Sequence, residues 1–285
     1  MNVKSYIEES QLVVHSGGLG ERWRPVTNGE VVKPMTEIGK KPRPMIDWAI
    51  LPFVKAGVKN IFPTLWYKSE SVMKHFDEVT KHTGIKFTYL IEPENRRLGR
   101  AGIIKESIKS GILDPNKPII SINGSDIICL NLEDMVKFHL EGVKMGYGTT
   151  IIASDKMVTE FGILVVNLHT KNLVKFKEKP ILNLPRDQKV HTGMFLFDPI
   201  SNKEFLKIDE NSYPINIEDL KGENGNIINK ARVYTGTIPN HILPVTKWVF
   251  FKSPKHYKEF GSIDFEKFLQ VKDSESYLGK YKKNV

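Results

Sequence analysis

The chain is 285 residues long and carries 42 Lys and Arg against 33 Asp and Glu, a formal net charge of +9, with 40% hydrophobic and 26% charged residues. That length buries about three-quarters of the unfolded surface, so it fits one large domain, or one with a small appendage, and the ordinary composition excludes a disordered or disulfide-built chain. The basic surplus favours anionic partners. Because the cations are spread along the chain, dense only in Lys280-Tyr281-Lys282-Lys283, it suits nucleotides and sugar phosphates better than nucleic acid.

Met1 to Ser10 mixes both charge signs without an apolar core, so no signal peptide is expected. No run reaches the roughly 20 apolar residues of a membrane-spanning helix. Leu12, Val13 and Val14 suit a buried strand, and Ser16, Gly17, Gly18 and Gly20 follow at once, where the chain must turn tightly. Ile46, Ile50, Phe53 and Val54 give a helix that Asp47 is expected to cap, that Gly57 ends and that Pro52 kinks or delays. Ile61 to Trp66 reads as a strand, Ser69 to Thr80 as a helix and Lys86 to Ile91 as a strand. Pro93 to Gly99 is a polar loop, Ala101 to Ser110 a helix stopped by Gly111, and Ile119 to Ile122 a strand. Asn131 with Asp134 approximates a capping box before Leu132, Met135, Val136, His139, Leu140 and Val143.

This alternation predicts an α/β fold, a mostly parallel Rossmann-like sheet flanked by helices. From Thr149 the helical periods vanish. Thr149 to Ala153, Gly162 to Val166, Leu173 to Phe176 and Thr192 to Phe197 read as strands, with His169-Thr170-Lys171-Asn172 a turn. The lone Cys129 sits in an apolar run as a small core filler; a single cysteine leaves no internal disulfide and suits a reducing compartment, so the cytoplasm is the default.

A glycine-rich turn after a first strand has three common meanings. The dinucleotide fingerprint needs a third glycine where Gly18-Leu19-Gly20-Glu21-Arg22-Trp23 ends in tryptophan, and a P-loop needs Gly-Lys-Ser/Thr. What remains is Gly17-Gly18, Gly20 and Arg22 followed by Lys33-Pro34. Backbone N–H groups beside fixed cations suit a di- or triphosphate; a plain tight turn is the alternative. Asp126, just after the Ile119 strand, lies where open α/β sheets gather ligands. It is either a turn aspartate or a holder of Mg²⁺ beside substrate phosphates. Glu178 and Lys179, at a strand end, offer a hydroxyl-binding carboxylate and a phosphate-binding lysine, or else a solvated charge run.

Together these segments resemble the sugar-1-phosphate nucleotidylyltransferases. Val14 to Pro44 is similar to that family's opening signature, and Leu98-Gly99-Arg100-Ala101-Gly102 to its leucine-glycine-threonine-alanine-glycine segment. Asn123-Gly124-Ser125-Asp126-Ile127-Ile128-Cys129 resembles its metal-site segment, in wording closest to the mannose-1-phosphate guanylyltransferases. Phe161-Gly162-Ile163, Glu178-Lys179-Pro180 and His191-Thr192-Gly193-Met194-Phe195 resemble its sugar-binding strands.

The resemblance implies roles. Ser16, Gly17, Gly18, Gly20 and Gly99 would hold the nucleotide. Arg22 would stabilise the departing pyrophosphate, Lys33 would offset charge near the α-phosphate, and Asp126 would bind Mg²⁺. Gly162, Glu178, Thr192 and Gly193 would bind the sugar, and Lys179 its phosphate. The implied reaction is attack by a sugar-1-phosphate oxygen on the α-phosphorus of an NTP, a step needing positioning and charge stabilisation more than a general base. Glu92 stands where the family reads the nucleobase edge. A carboxylate suits the adjacent N1–H and N2–H₂ donors of guanine, which favours GTP, with mannose-1-phosphate or another hexose-1-phosphate as acceptor.

The implied organisation is one domain over 1–285, with a nucleotide-binding half at about 8–146, a β-rich sugar-binding lobe at about 147–250 and a C-terminal segment at 251–285. The residues after Val245 are too few for the stacked-repeat domain some relatives carry, so no second acyltransferase-type activity is expected. Neither a nucleic acid nor a membrane is an expected partner; a homo-oligomer or a partner subunit is left open.

The chain also departs from the pattern. The family's aromatic-x-Asp-x-Gly segment, with a second metal aspartate, is matched by Trp248-Val249-Phe250-Phe251-Lys252. Phenylalanine cannot coordinate a metal. Either Glu218, Asp219 or Glu223 substitutes, or the match slips, or the site is crippled and the chain is a sugar-nucleotide-binding regulatory subunit; Lys252 itself is a further source of positive charge. Arg100 for threonine and an extended Asn28 to Val32 loop are smaller departures. A glycosyltransferase of related architecture would carry Asp-x-Asp, and none occurs.

Overall fold

The computed structural model describes residues 2–154, 162–177, 188–220, 227–228, 230–234 and 247–281. The strands are β1 (Gln11–His15), β2 (Glu37–Ile38), β3 (Arg43–Pro44), β4 (Asn60–Leu65), β5 (Lys86–Phe87), β6 (Leu90–Ile91) and β7 (Ile119–Asn123). They continue as β8 (Asp126–Cys129), β9 (Thr149–Ser154), β10 (Ile163–Val166), β11 (Leu173–Lys177), β12 (Gln188–Phe197), β13 (Ala231–Tyr234) and β14 (Lys247–Phe250). The α-helices are α1 (Val3–Glu9), α2 (Arg24–Thr27), α3 (Met45–Lys55), α4 (Ser69–Thr83), α5 (Gly99–Lys109), α6 (Leu132–Lys144), α7 (Pro199–Phe205), α8 (Pro254–Phe260), α9 (Phe265–Phe268) and α10 (Glu275–Leu278).

β1 lies between two parallel neighbours, β4 and β7. Its side chains alternate: Leu12 and Val14 join Trp48 of α3 and Met135 of α6, while Val13 joins Ile104 of α5 on the opposite face. Both faces are covered, which is why the strand reads as an unbroken apolar run. The sheet continues β5–β4–β1–β7–β12–β10–β11, with β6 also beside β4 and β9 between β12 and β13. Its centre is parallel. Strands from the second half of the chain extend the same sheet, mostly in antiparallel pairs.

β12 positions the site. Phe195 to Phe197 pair with β7, whereas Gln188 to Val190 pair with β10 along the same edge. Between these partners the register against β9 shifts, and Gly193 takes φ +85°. A bulge of this kind re-aims the backbone, here toward the carboxyl end of β7.

Three expectations are corrected. Asp47 does not cap α3: Pro44 is the cap residue, and Asp47 sits fully buried in the first turn, paired with Arg43 and with His75 of α4. A carboxylate whose second partner lies on another helix leaves no local trace, and Pro52 falls inside α3 without delaying its start. Lys86 to Ile91 forms two strands of two residues, each parallel to β4, and not one strand. The helical periods do vanish from Thr149, although helices do not. α7 starts behind an Asp198 cap and α8 to α10 close the chain, but at four to seven residues they are too short to display a 3.6-residue repeat.

Candidate active site

Strand order reverses beside β1, with β4 and β5 on one side and β7 on the other, which opens a crevice at the carboxyl ends of the strands. The turn after β1 lies in it. Ser16 is fixed to β4, its N–H donating to Thr64 Oγ1 (3.2 Å) and its hydroxyl to the Thr64 carbonyl (2.6 Å). Gly17 runs so close to β4 that a Cβ would stand 3.2 Å from the Leu65 and Trp66 backbone. Gly20, at φ +62°, starts the one-turn helix Glu21–Trp23. The buried Trp23 indole donates to Thr36 Oγ1 (2.9 Å), which holds that helix beside the second one-turn helix, Lys33–Met35. Arg22 and Lys33 are thereby brought to one cavity.

Across that cavity stands Asp126, buried, accepting from Asn123 Nδ2 at 2.7 Å. Burial pushes its carboxyl pKa up, against the downward pull of Asn123, Lys33, Lys252 and Arg100. Burial likewise lowers the Lys33 ammonium to about 8, with Asp126 pulling it up and Arg22 pushing it down. The cavity, of about 270 Å³, is lined by Gly18, Gly20, Arg22, Lys33, Asn123, Ser125, Asp126 and Lys252.

A second cavity, also about 270 Å³, shares His15 and Gly18 with the first and adds Gly17, Thr64, Glu92, Arg97, Gly99, Arg100 and Asn216. At Gly99, φ +75°, a Cβ would lie 2.4 Å from the Ile215 carbonyl, so only glycine lets α5 begin against that segment. Glu92 is buried and accepts from Arg97 Nε (3.1 Å), Arg97 Nη2 (3.5 Å) and the Leu98 N–H (2.8 Å). The Arg97 guanidinium also lies 4.2 Å from the Trp66 ring centroid.

The predicted sugar-side residues fall into two groups. Gly193 abuts the acidic centre: a Cβ there would lie 2.3 Å from Asn123 Nδ2 and 3.3 Å from Asp126 Oδ2. The Thr192 hydroxyl is turned away, donating to the Ile152 carbonyl (2.8 Å), and the Gly162 carbonyl accepts the His191 N–H (2.9 Å). Glu178 and Lys179 lie outside the described residues, as do Phe161 and Glu223.

Sequence reasoning flagged Arg100 but missed what it does. It forms an ion pair with Glu218, reaches within 3.5 Å of Asn123 Oδ1, and Glu218 in turn lies 3.5 Å from His191 Nδ1. Burial alone would raise the Glu218 pKa, but Arg100 and His191 hold it below the ordinary value. Burial lowers His191 to about 4 and His15 to about 3, so both imidazoles are neutral near pH 7. Partners 118 residues apart in sequence give no pattern to read.

Two candidate substitutes for a second metal aspartate are thus engaged, Glu218 by Arg100 and Asp219 by the Asn216 N–H (3.2 Å). β14 runs antiparallel to β8 with Phe250 directly opposite Asp126, and the Phe250 ring packs on Trp248 and His256 at 4.7 Å between centroids. Among the described residues, Asp126 is the only carboxylate lining the cavity that holds Arg22 and Lys33, and no group of three or more His, Cys, Asp or Glu is gathered for a metal. Such a donor set fits one Mg²⁺ whose shell is completed by substrate phosphate oxygens and water, and no all-protein cage.

A glycine turn with cations, one acidic residue and an adjoining cavity thus lie together at the switch point of an α/β sheet, where open sheets of this kind gather ligands. The sequence profile of the nucleotidyl transferase family matches residues 12–230, and the chain belongs to that family. Its sequence is similar to mannose-1-phosphate guanyltransferase beta-A of Xenopus laevis, 29% identical over 184 residues that cover 64% of this chain and 48% of that protein. It is also similar to the mannose-1-phosphate guanyltransferase of Pichia angusta, 29% identical over 211 residues, 72% of this chain and 55% of that one. The chain thus spans about half the length of the curated relatives it matches. A Bacillus anthracis chain crystallised with sucrose and assigned as a glucose-1-phosphate thymidylyltransferase shares the fold, with a TM-score of 0.67, 16% identity, and coverage of 93% of this chain and 96% of that one. Among the described residues no helix is long and apolar enough to cross a membrane.

Proposed function

We propose that the protein transfers a nucleotidyl group from an NTP to a sugar-1-phosphate, giving an NDP-sugar and pyrophosphate. GTP is the favoured donor, and mannose-1-phosphate or another hexose-1-phosphate the favoured acceptor. The observation that carries this reading is the pair of cavities joined at His15 and Gly18, one walled by Arg22, Lys33 and Asp126, the other by Glu92, Arg97 and Gly99. The first suits a triphosphate and the second a nucleoside.

In this reading the triphosphate lies along Gly17 to Gly20. Lys33 offsets charge at the α-phosphate, and Arg22 stabilises the negative charge that moves onto pyrophosphate as the α–β bridge breaks. The attacking phosphate is already ionised, so the neutral His15 and His191 need take no proton. Mg²⁺ held by Asp126 and phosphate oxygens would add charge neutralisation. Gly162, Glu178, Thr192, Gly193 and Lys179 are proposed for the sugar phosphate, in a sugar-binding lobe over about 147–250. Glu92 has about four lone-pair directions, three of them engaged, so reading both guanine donors requires Arg97 to yield its 3.5 Å contact.

One observation favours a second reading, a regulatory subunit that binds a sugar nucleotide: Phe250 faces Asp126 in the register. Pyrophosphate release across NTPs and sugar-1-phosphates with Mg²⁺ separates the two. An enzyme releases pyrophosphate with at least one pair, and Arg22→Ala lowers the rate about 100-fold or more. NTP binding without release by any pair selects the regulatory reading. Absence of both NTP and NDP-sugar binding removes both readings.

A further inference from the structure

We infer that Lys252 is a phosphate-binding cation at the pyrophosphate end of this site. The inference rests on the proposed function. β14 delivers this residue. Its last member, Phe250, pairs with Asp126, and the Phe251 N–H then donates to the Ser125 carbonyl (3.3 Å). The next residue, Lys252, lines the same cavity as Ser125 and Asp126.

Its backbone is anchored. The Lys252 and Ser253 N–H groups both donate to His256 Nδ1 of α8, at 3.1 and 3.3 Å, and the His256 ring is buried against Phe250. Lys252 also lines a third hollow, with Gly20, Glu21, Arg22 and Lys33, that shares neither His15 nor Gly18 with the nucleoside cavity. That places it toward the end of the phosphate track where pyrophosphate leaves, and not beside the nucleoside cavity.

Charge on the cavity wall points the same way. Among the described residues, Arg22, Lys33 and Lys252 face a single carboxylate, Asp126. A polyphosphate in this cavity meets three cationic side chains on one wall. Lysine serves phosphate as a compact point charge with three donors.

The test is titration of GTP, ATP, UTP and CTP, and of the matching monophosphates, in EDTA into wild type, Lys252→Met and Lys252→Arg, with melting temperature reporting the fold. For the NTP that wild type binds, Lys252→Met weakens affinity about tenfold or more, leaves the monophosphate within about twofold, and Lys252→Arg restores most of the loss. Wild-type NTP affinity in a folded Lys252→Met overturns the inference while leaving the proposed function intact. Equal weakening of mono- and triphosphate overturns the placement at the pyrophosphate end. A wild type that binds no NTP either in EDTA or with Mg²⁺ overturns both.

Discussion

Burial holds the Lys33 ammonium at about 8, below its ordinary value, with Asp126 resisting the fall and Arg22 adding to it. The charge proposed to meet phosphate is therefore present at neutral pH and lost as pH rises through that value. NTP affinity is expected to be level up to about pH 7.5 and to fall about tenfold or more by pH 9.5, the worth of one charge-assisted contact. Lys33→Arg, which stays protonated, flattens the decline; calorimetric titration between pH 7 and 9.5 reads both, and a decline unchanged in that variant assigns it elsewhere. Residues of this kind were legible where the signal is local. Gly17, Gly18, Gly20 and Arg22 lie within one turn, and Asp126 follows a strand end. Lys252, Arg100 and Glu218 were each marked as departures from the pattern, but the Arg100–Glu218–His191 group was not legible, because only folding brings those three residues together.

At the scale of elements, Asp47 ties three pieces together. It accepts from Arg43 Nε (3.1 Å) and lies 2.6 Å from His75 Nε2 of α4, while Arg43 Nη1 donates to the Gly279 carbonyl (2.8 Å) after α10. Burial pushes the Asp47 pKa up, but His75 and Arg43 outweigh it and the value is lowered. A carboxylate with a depressed folded pKa contributes stability above its unfolded value, near 4, and loses that contribution as pH falls below it. Asp47→Asn leaves Arg43 charged and buried without its anion, and is expected to cost about 3–5 kcal/mol, a drop in melting temperature of roughly 5–10 °C at pH 7. The gap to wild type should narrow on going from pH 7 to pH 3. A constant gap, or none, contradicts the assignment. The sequence placed α3 but mistook this residue for its cap, since a first-turn acid and a cap share the same neighbourhood. α4 and α6 were legible from apolar periods running over 15 and 13 residues.

Over the whole molecule, the parallel centre was legible because its strands are apolar runs separated by periodic helices. The second half was read as a change of texture, which it is. That its strands extend the sheet of the first half was not readable, because antiparallel pairing of β12 with β7 joins residues some 75 apart. That continuity brings Gly193 against Asn123 and Asp126 and makes one site from two halves. The proposed site holds a single phosphate track between the Gly17–Gly20 turn and Asp126. The most direct measurement is a crystal structure with the NTP that binds best and Mg²⁺. The expected result is a triphosphate against Arg22, Lys33 and Lys252, with one cation on Asp126 and the base between Glu92 and Gly99. A nucleotide bound elsewhere, or phosphates turned away from Asp126, would contradict the account.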